Sequence, residues 1–265
     1  PDFGSIDAET LAVTGARHLA DLPRLVLAEG SLTARDLAAG DPAPATDIPA
    51  RCADARRRWS RLEALPEEKA VALTFDDGPN PPWTDRILDV LDRYEVPATF
   101  FCVGLQARGH QEHLARMSAA GHTVGNHTWS HPLLTDLAAA EVTAQVDRTS
   151  ETIALGTGGR RPSLFRPPYG VSTATPSPPG QGDSAMDTVL WDVDTQDWAM
   201  PGVGAIAGAV LEQARPGSIV LMHDGGGDRS QTAAALPVII EGLLARGFRF
   251  VSLRGHGAVP GPEAG

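Results

Sequence analysis

The sequence predicts an α/β fold built on parallel strands, and three observations carry that expectation. From Val71 onward, short runs rich in β-branched and aromatic residues alternate with longer stretches of helical period. That alternation makes parallel strands joined by helical crossovers. Polar residues collect at the C-terminal ends of the runs, where α/β sheets and barrels gather their functional loops. The chain has 265 residues, 42% hydrophobic and 21% charged, enough to bury a sizeable core without staples.

Taken in order, the predicted strands are Val71–Phe75, Thr99–Val103, His122–Gly125, Ser163–Arg166, Thr188–Val193, Ser218–Met222 and Phe248–Leu253. Helical spacing predicts helices over Thr84–Tyr94, Gln111–Ala120, Leu137–Leu155, Val203–Ala214 and Thr232–Ala245. About seven strands can form an open doubly wound sheet or a barrel, and no repeat in the sequence chooses between them. One stretch breaks the rhythm. Between Tyr169 and Asp187 a helix is expected, but residues 171–186 carry Pro176, Pro178 and Pro179 and have no apolar face, so they read as a loop.

The first 70 residues read differently. Leu11–Leu27 has helical spacing interrupted by Pro23, and Thr33–Ala39 has the length of a short helix. Gly40–Ala50 has the composition of a linker. Arg51–Leu65 reads as a basic helix with a solvated face. The expected organisation is a helical and linker extension over 1–70, a catalytic domain over 71–255 and a tail over 256–265. The chain opens on Pro1, as a processed or trimmed product would.

Composition excludes several classes. A net charge of −11 argues against a general nucleic-acid binder, which needs a basic stripe for phosphates. Two cysteines, Cys52 and Cys102, are too few for a disulfide framework, and Cys102 is expected to be a buried strand residue. No apolar run has the length of a membrane span.

The chemistry sits at five strand ends. The first ends in Asp76 and Asp77, adjacent carboxylates that repel unless positive charge lies near. A divalent metal would supply it, although Asp-Gly-Pro is also ordinary turn chemistry. His127 and His131 follow the third strand. Pro132 disfavours α geometry at His131, which places the pair at a helix entrance. One aspartate and two histidines make three ligands with an open fourth position, the pattern of a catalytic zinc site. Two surface histidines are the plainer reading of the same spacing. Arg166 closes the fourth strand with its backbone fixed by Pro167 and Pro168, Asp194 and Asp197 follow the fifth, and His223 closes the sixth.

The motifs TFDDG at 74–78, HTWSH at 127–131, RPPYG at 166–170, DTQDW at 194–198 and LMH at 221–223 resemble, in order, the five motifs of the NodB-homology polysaccharide deacetylases, carbohydrate esterase family four. The resemblance spans Val71–Leu253. It implies a distorted (β/α) barrel of about seven parallel strands. It implies zinc or another divalent transition metal on Asp77, His127 and His131, and hydrolysis of acetyl groups on sugars. It implies Asp76 as general base, oriented by Arg166, and His223 as general acid, paired with Asp197 or, as second choice, Asp194. Tyr169 resembles the backbone N–H donor to the oxyanion, and Trp198, Tyr169 and Leu221 resemble residues that line the substrate. The family has a helix after RPPYG where this chain has its proline-rich loop.

Peptidoglycan or a chitin-like polymer of N-acetylglucosamine is the expected substrate, acted on outside the cell or in its envelope. An acetylxylan esterase keeps the same mechanism on another bond, and a deacetylase of a small N-acetylated metabolite keeps the same site. A non-catalytic carbohydrate-binding module is the reading from a different class. The chain retains every residue that such a module would lose. Oligomeric state is open.

Overall fold

A computed structural model describes residues 58–59, 69–171 and 186–254. The early helices and linker, the tail, Cys52 and the loop over 172–185 lie outside these residues.

Strand β2 (Ala70–Asp76) sets the frame, because all seven of its residues are buried. Side chains alternate across a strand, so β2 serves two cores. Val71, Leu73 and Phe75 pack outward against Ile87, Leu88 and Leu91 of helix α1 (Trp83–Tyr94) and Leu236, Ile239 and Leu243 of helix α6 (Ser230–Ala245). Ala72 packs the other way, in a separate cluster with Phe101, Leu164, Val189, Ile219 and Leu253. These residues come from different strands. They meet only if the inner faces of the strands converge on one axis.

The remaining elements follow the strand–helix rhythm. Strand β3 (Thr99–Cys102) is followed by helices α2 (Gly104–Gly109) and α3 (Gln111–Ala119), and β4 (Thr123–Asn126) by α4 (Ala139–Gly156). Strands β5 (Leu164–Phe165), β6 (Asp187–Val189) and β7 (Val193–Asp194) come next. Helix α5 (Val203–Gln213), strand β8 (Ile219–His223), α6 and β9 (Arg249–Phe250) complete the series, and β1 (Arg58–Trp59) precedes it. The sheet order is β1-β6-β5-β4-β3-β2-β8-β7, with β9 on β2, and every pairing is parallel.

That order closes the fold. Strands β6 and β7 stand on opposite sides of the curl, yet only residues 190–192 separate them. Four residue steps span at most about 14 Å, so the sheet curls until β7 lies near β6. The result is the curled parallel sheet of a distorted barrel, not an open doubly wound sheet.

Three local expectations are corrected. The single strand expected over Thr188–Val193 is two strands, because Leu190 and Trp191 leave the ladder where the sheet closes and the Val189 and Leu190 carbonyls turn to Arg166. Within the segment expected to be helical, Arg58 and Trp59 form a strand paired with Thr188 and Val189. Helix α2 was not expected, since six residues carry too little periodicity to register. The family-implied barrel is present, but the residue pattern alone could not choose it. Cys102 is buried on β3, as expected.

Candidate active site

Register builds the site. Asp76, the last residue of β2, lies level with Phe101 of β3 and His223 of β8. It shares the inward face of β2 with Ala72 and Thr74. Arg166, immediately after β5, reaches across the barrel to meet it. The Arg166 Nη1 donates to Asp76 Oδ1 at 2.8 Å and to Thr74 Oγ1 at 2.8 Å. Its Nε and Nη2 donate to the Val189 and Leu190 carbonyls at 3.3 and 3.1 Å, and its face lies 4.2 Å from the Phe101 ring centroid. Arg166 is fully buried and Asp76 nearly so. A buried pair of this kind is rigid, and removing one partner costs about 3–5 kcal/mol.

The second group forms where two strained turns meet. Asp77 adopts φ 75, and Thr128 and His131 adopt φ 69 and 57. Left-handed backbone at such residues persists only where the surroundings enforce it. Here they do. Asn126 Oδ1 accepts from the Thr128 N–H, Thr128 Oγ1 accepts from the His131 N–H, and Gln145 Oε1 accepts from the Trp129 and Ser130 N–H groups. The expected helix entrance is therefore a hydrogen-bonded loop, and α4 begins only at Ala139.

This loop aims both imidazoles at one carboxylate oxygen. His127 Nε2 and His131 Nε2 lie 3.6 and 3.4 Å from Asp77 Oδ1. His127 Nδ1 lies 2.6 Å from the Arg166 carbonyl, which can only accept. The Nδ1–H is thereby fixed and the Nε2 lone pair faces Asp77. His131 Nδ1 pairs with the Tyr169 hydroxyl at 3.2 Å. Burial drives the His131 pKa down to about 4 despite the pull of Asp77, so its imidazole is neutral. Burial also opposes charge on Asp77, but His131, His223, His127 and Arg229 hold its pKa near 2.

The third group lies on the opposite side of Asp76. Asp197 Oδ1 accepts from His223 Nδ1 at 2.7 Å, and its Oδ2 accepts from the His223 N–H at 2.9 Å and the Thr232 hydroxyl at 2.7 Å. Burial works against an imidazolium at His223, yet Asp197 and then Asp77 raise its pKa to about 9. Asp194 does not share this role, since its Oδ1 accepts from the Gln196 N–H at 2.8 Å.

The other expected residues surround these groups. Tyr169 is in left-handed geometry at φ 60 in the turn after Arg166. Its phenol lies on His131, a contact the motif did not announce. Trp198 is half-buried in the turn directly after Asp197. Leu221 is buried on β8 between Ile219 and His223 on the inward face.

Sequence reasoning missed Asp224, Thr232 and Arg229. Asp224 is fully buried, and its Oδ2 accepts from the Thr84 hydroxyl at 2.6 Å. Burial, with Asp77 and Asp76 nearby, raises its pKa to about 7. Gly78 makes room for it: a Cβ there would stand 1.9 Å from Asp224 Oδ2. The adjacent acid in the sequence LMHD was the available signal. Thr232 gave none, because its partner is 35 residues away.

The chemistry of the set fits a divalent transition metal. Asp77 Oδ1 is buried and has no hydrogen-bond partner, and leaving such an atom unsatisfied is costly. Asp77, His127 and His131 each offer a ligand atom, all within 4.8 Å of one another. Asp76, held by Arg166, and His223, held by Asp197, lie level with each other beside that set.

Comparison with known proteins identifies the family. The polysaccharide deacetylase family model matches residues 64–177. A chitooligosaccharide deacetylase from Sinorhizobium fredii is 41% identical over 197 residues, covering 69% of this chain and 90% of the relative. The peptidoglycan-N-acetylmuramic acid deacetylase PdaC of Bacillus subtilis is 41% identical over 189 residues, covering 71% of this chain and 38% of that protein. The crystal structure of the Bc1960 peptidoglycan N-acetylglucosamine deacetylase superimposes with a TM-score of 0.69 at 33% identity, covering 80% of this chain and 95% of that one. The family depends on a metal. The chain belongs to the polysaccharide deacetylase family and is a hydrolase of non-peptide amide bonds.

Proposed function

We propose that this chain removes acetyl groups from N-acetylglucosamine units of a chitin-like oligomer or of peptidoglycan. The observation that carries the reading is the register of β2 and β8. It sets the Arg166-bound carboxylate of Asp76 level with the Asp197-bound imidazole of His223, with Asp77, His127 and His131 beside them.

Asp77, His127 and His131 would hold the metal, for which zinc is the first candidate. When bound, such an ion lowers the pKa of water and polarises the acetyl carbonyl. The chain's own residues do the rest. Asp76 accepts the proton of the attacking water, and Arg166 keeps its carboxylate fixed at the mouth of the barrel. The Tyr169 N–H faces the carbonyl oxygen as charge develops on it. His223 gives its proton to the departing nitrogen, and Asp197 holds the imidazole in orientation and favours its charged form. Trp198 and Leu221 wall the acetyl methyl.

The charged state of His223 favours an amide over an ester. An amine leaves poorly without a proton, whereas an alkoxide needs less help. We read residues 71–255 as the catalytic domain, 1–70 as an extension and 256–265 as a tail. Peptidoglycan, named as the substrate of the Bacillus subtilis and Listeria monocytogenes relatives, is a cell-wall polymer, which supports a reaction in the envelope or beyond it. Among the described residues no helix is long and apolar enough to cross a membrane.

Acetate release from chitooligosaccharides, peptidoglycan fragments and acetylated xylan tests the reading. Release from the first two at rates above xylan supports it. Release from xylan alone, or from none of the three by folded, metal-loaded protein, overturns it.

A further inference from the structure

The loop that carries His127 and His131 belongs to no helix or strand, so its backbone groups must find partners elsewhere. The two histidines are anchored unequally. His127 hangs from the sheet: its N–H donates to the Cys102 carbonyl at 3.0 Å, and its ring is pinned on the Arg166 carbonyl. His131 is reached only through Thr128, Trp129 and Ser130, all of them buried. Helix α2 receives the Thr128 and Trp129 carbonyls on the N–H groups of Gly104 and Leu105, both at 2.9 Å. Gly104 permits that approach, since a Cβ there would stand 2.4 Å from Trp129 Cε3 and 2.5 Å from Thr149 Oγ1.

The N–H groups of Trp129 and Ser130 share a single acceptor. Gln145 Oε1 takes both, at 2.8 and 2.9 Å, while its Nε2 donates to Ser130 Oγ at 3.0 Å. Gln145 is buried in the second turn of α4. Its side chain grips the residues between the two histidines and hydrogen-bonds to neither histidine.

Removing Oε1 would leave two adjacent buried N–H groups without a partner, and each would bear its full desolvation cost. The loop relieves that cost only by opening toward water. Opening moves His131 first. Its φ of 57 persists only while the surroundings enforce it, and its remaining ties are Thr128 Oγ1 on its N–H and the Tyr169 hydroxyl on its ring. His127 keeps its own anchors on Cys102 and Arg166.

We propose that Gln145 is a positioning residue that sets metal affinity, by holding the loop in the one form that presents His131 Nε2 beside His127 and Asp77. This role rests on the assignment of the metal to Asp77, His127 and His131, and is independent of the substrate.

The test is extraction of zinc from the loaded full chain by a chromophoric chelator, which gives the zinc affinity directly. Wild type is compared with Gln145→Leu, Gln145→Glu, His131→Ala and the double variant Gln145→Leu with His131→Ala. Gln145→Leu should bind zinc about tenfold or more weakly, the range for groups that orient metal ligands from behind. Gln145→Glu, whose carboxylate can accept from both N–H groups, should stay near wild type. The double variant should bind no more weakly than His131→Ala alone, because Gln145 acts through that ligand. Gln145→Leu with wild-type zinc affinity and only a lower Tm overturns the proposal, and so does full additivity in the double variant. If Gln145→Leu does not fold, Gln145→Asn, which withdraws the acceptor by a methylene, carries the same expectations. His131→Ala with wild-type zinc affinity defeats the metal assignment itself and the proposal with it, a result distinct from the other two.

Discussion

The metal corner and the acid corner of this site are opposites in how complete they are. Asp197 in the acid corner has every role filled, with Oδ1 on the His223 ring and Oδ2 on its N–H and the Thr232 hydroxyl. Asp77 in the other corner has Oδ1 buried and without a partner, facing two imidazole nitrogens at 3.4 and 3.6 Å. Asp197 is buried and Asp77 partly so, and both have histidines for neighbours. The difference is that one histidine is held charged and the other pair is held ready to bind. A satisfied network holds its members in place, whereas an unpaired buried oxygen facing two imidazole nitrogens suits a cation.

The largest effect expected from breaking this contrast is in the metal corner. Asp77→Asn or His127→Ala should lose the metal by elemental analysis. Turnover should fall by about a thousandfold or more, because the ion supplies the drop in the pKa of water from about 16 to about 7. In the acid corner, His223→Ala should keep the metal and lose about 10²- to 10⁴-fold in kcat on an N-acetyl substrate. Its loss on an O-acetyl ester should be smaller. Equal losses on both would contradict an acid acting on the leaving group.

Asp197→Asn sharpens the comparison through pH. Burial alone pushes the His223 pKa down, and Asp197 is the main group that raises it to about 9. The variant should move the alkaline limb of kcat down by about 1–3 units. The metal-loaded limb of wild type should itself lie below 9, because a bound cation offsets Asp77. Stability carries the same sign. A raised His223 pKa stabilises the metal-free fold fully below the ordinary value of 6.5 and ceases to do so as pH rises through 9. Denaturant unfolding of the metal-free protein should therefore show stability falling across that window in wild type and a flatter profile in Asp197→Asn. The smallest effect belongs to Thr232→Val, which removes one hydrogen bond from Asp197. It should cost about 1 kcal/mol of stability and a few-fold in kcat, measured by thermal unfolding and steady-state rates.

What the sequence made legible divides along the same lines as local and distant structure. The strands carrying Asp76, His127, Arg166 and His223 were readable because both faces of strands such as β2 are buried, which leaves continuous apolar runs. The polar residues ending those runs stood out against them. Barrel closure was not readable, because it depends on Leu190 and Trp191 leaving the ladder where Arg166 takes the carbonyls of Val189 and Leu190. Left-handed geometry at Thr128 and His131 was hidden for a similar reason. It is imposed by Asn126, by Gln145 of α4 and by the Thr128 hydroxyl on the His131 N–H, in bonds that no spacing rule announces. Thr232, Arg229 and Asp224 act across the fold on Asp197, Asp77 and Gly78, and no spacing rule joins such partners.

The most direct test of the division between the two corners measures metal content and acetate release together in wild type, His127→Ala and His223→Ala. The expected result is one equivalent of metal and turnover in wild type, neither in His127→Ala, and full metal with turnover down by about a hundredfold or more in His223→Ala. A His223→Ala protein that has lost its metal, or a His127→Ala protein that keeps both metal and activity, would contradict it.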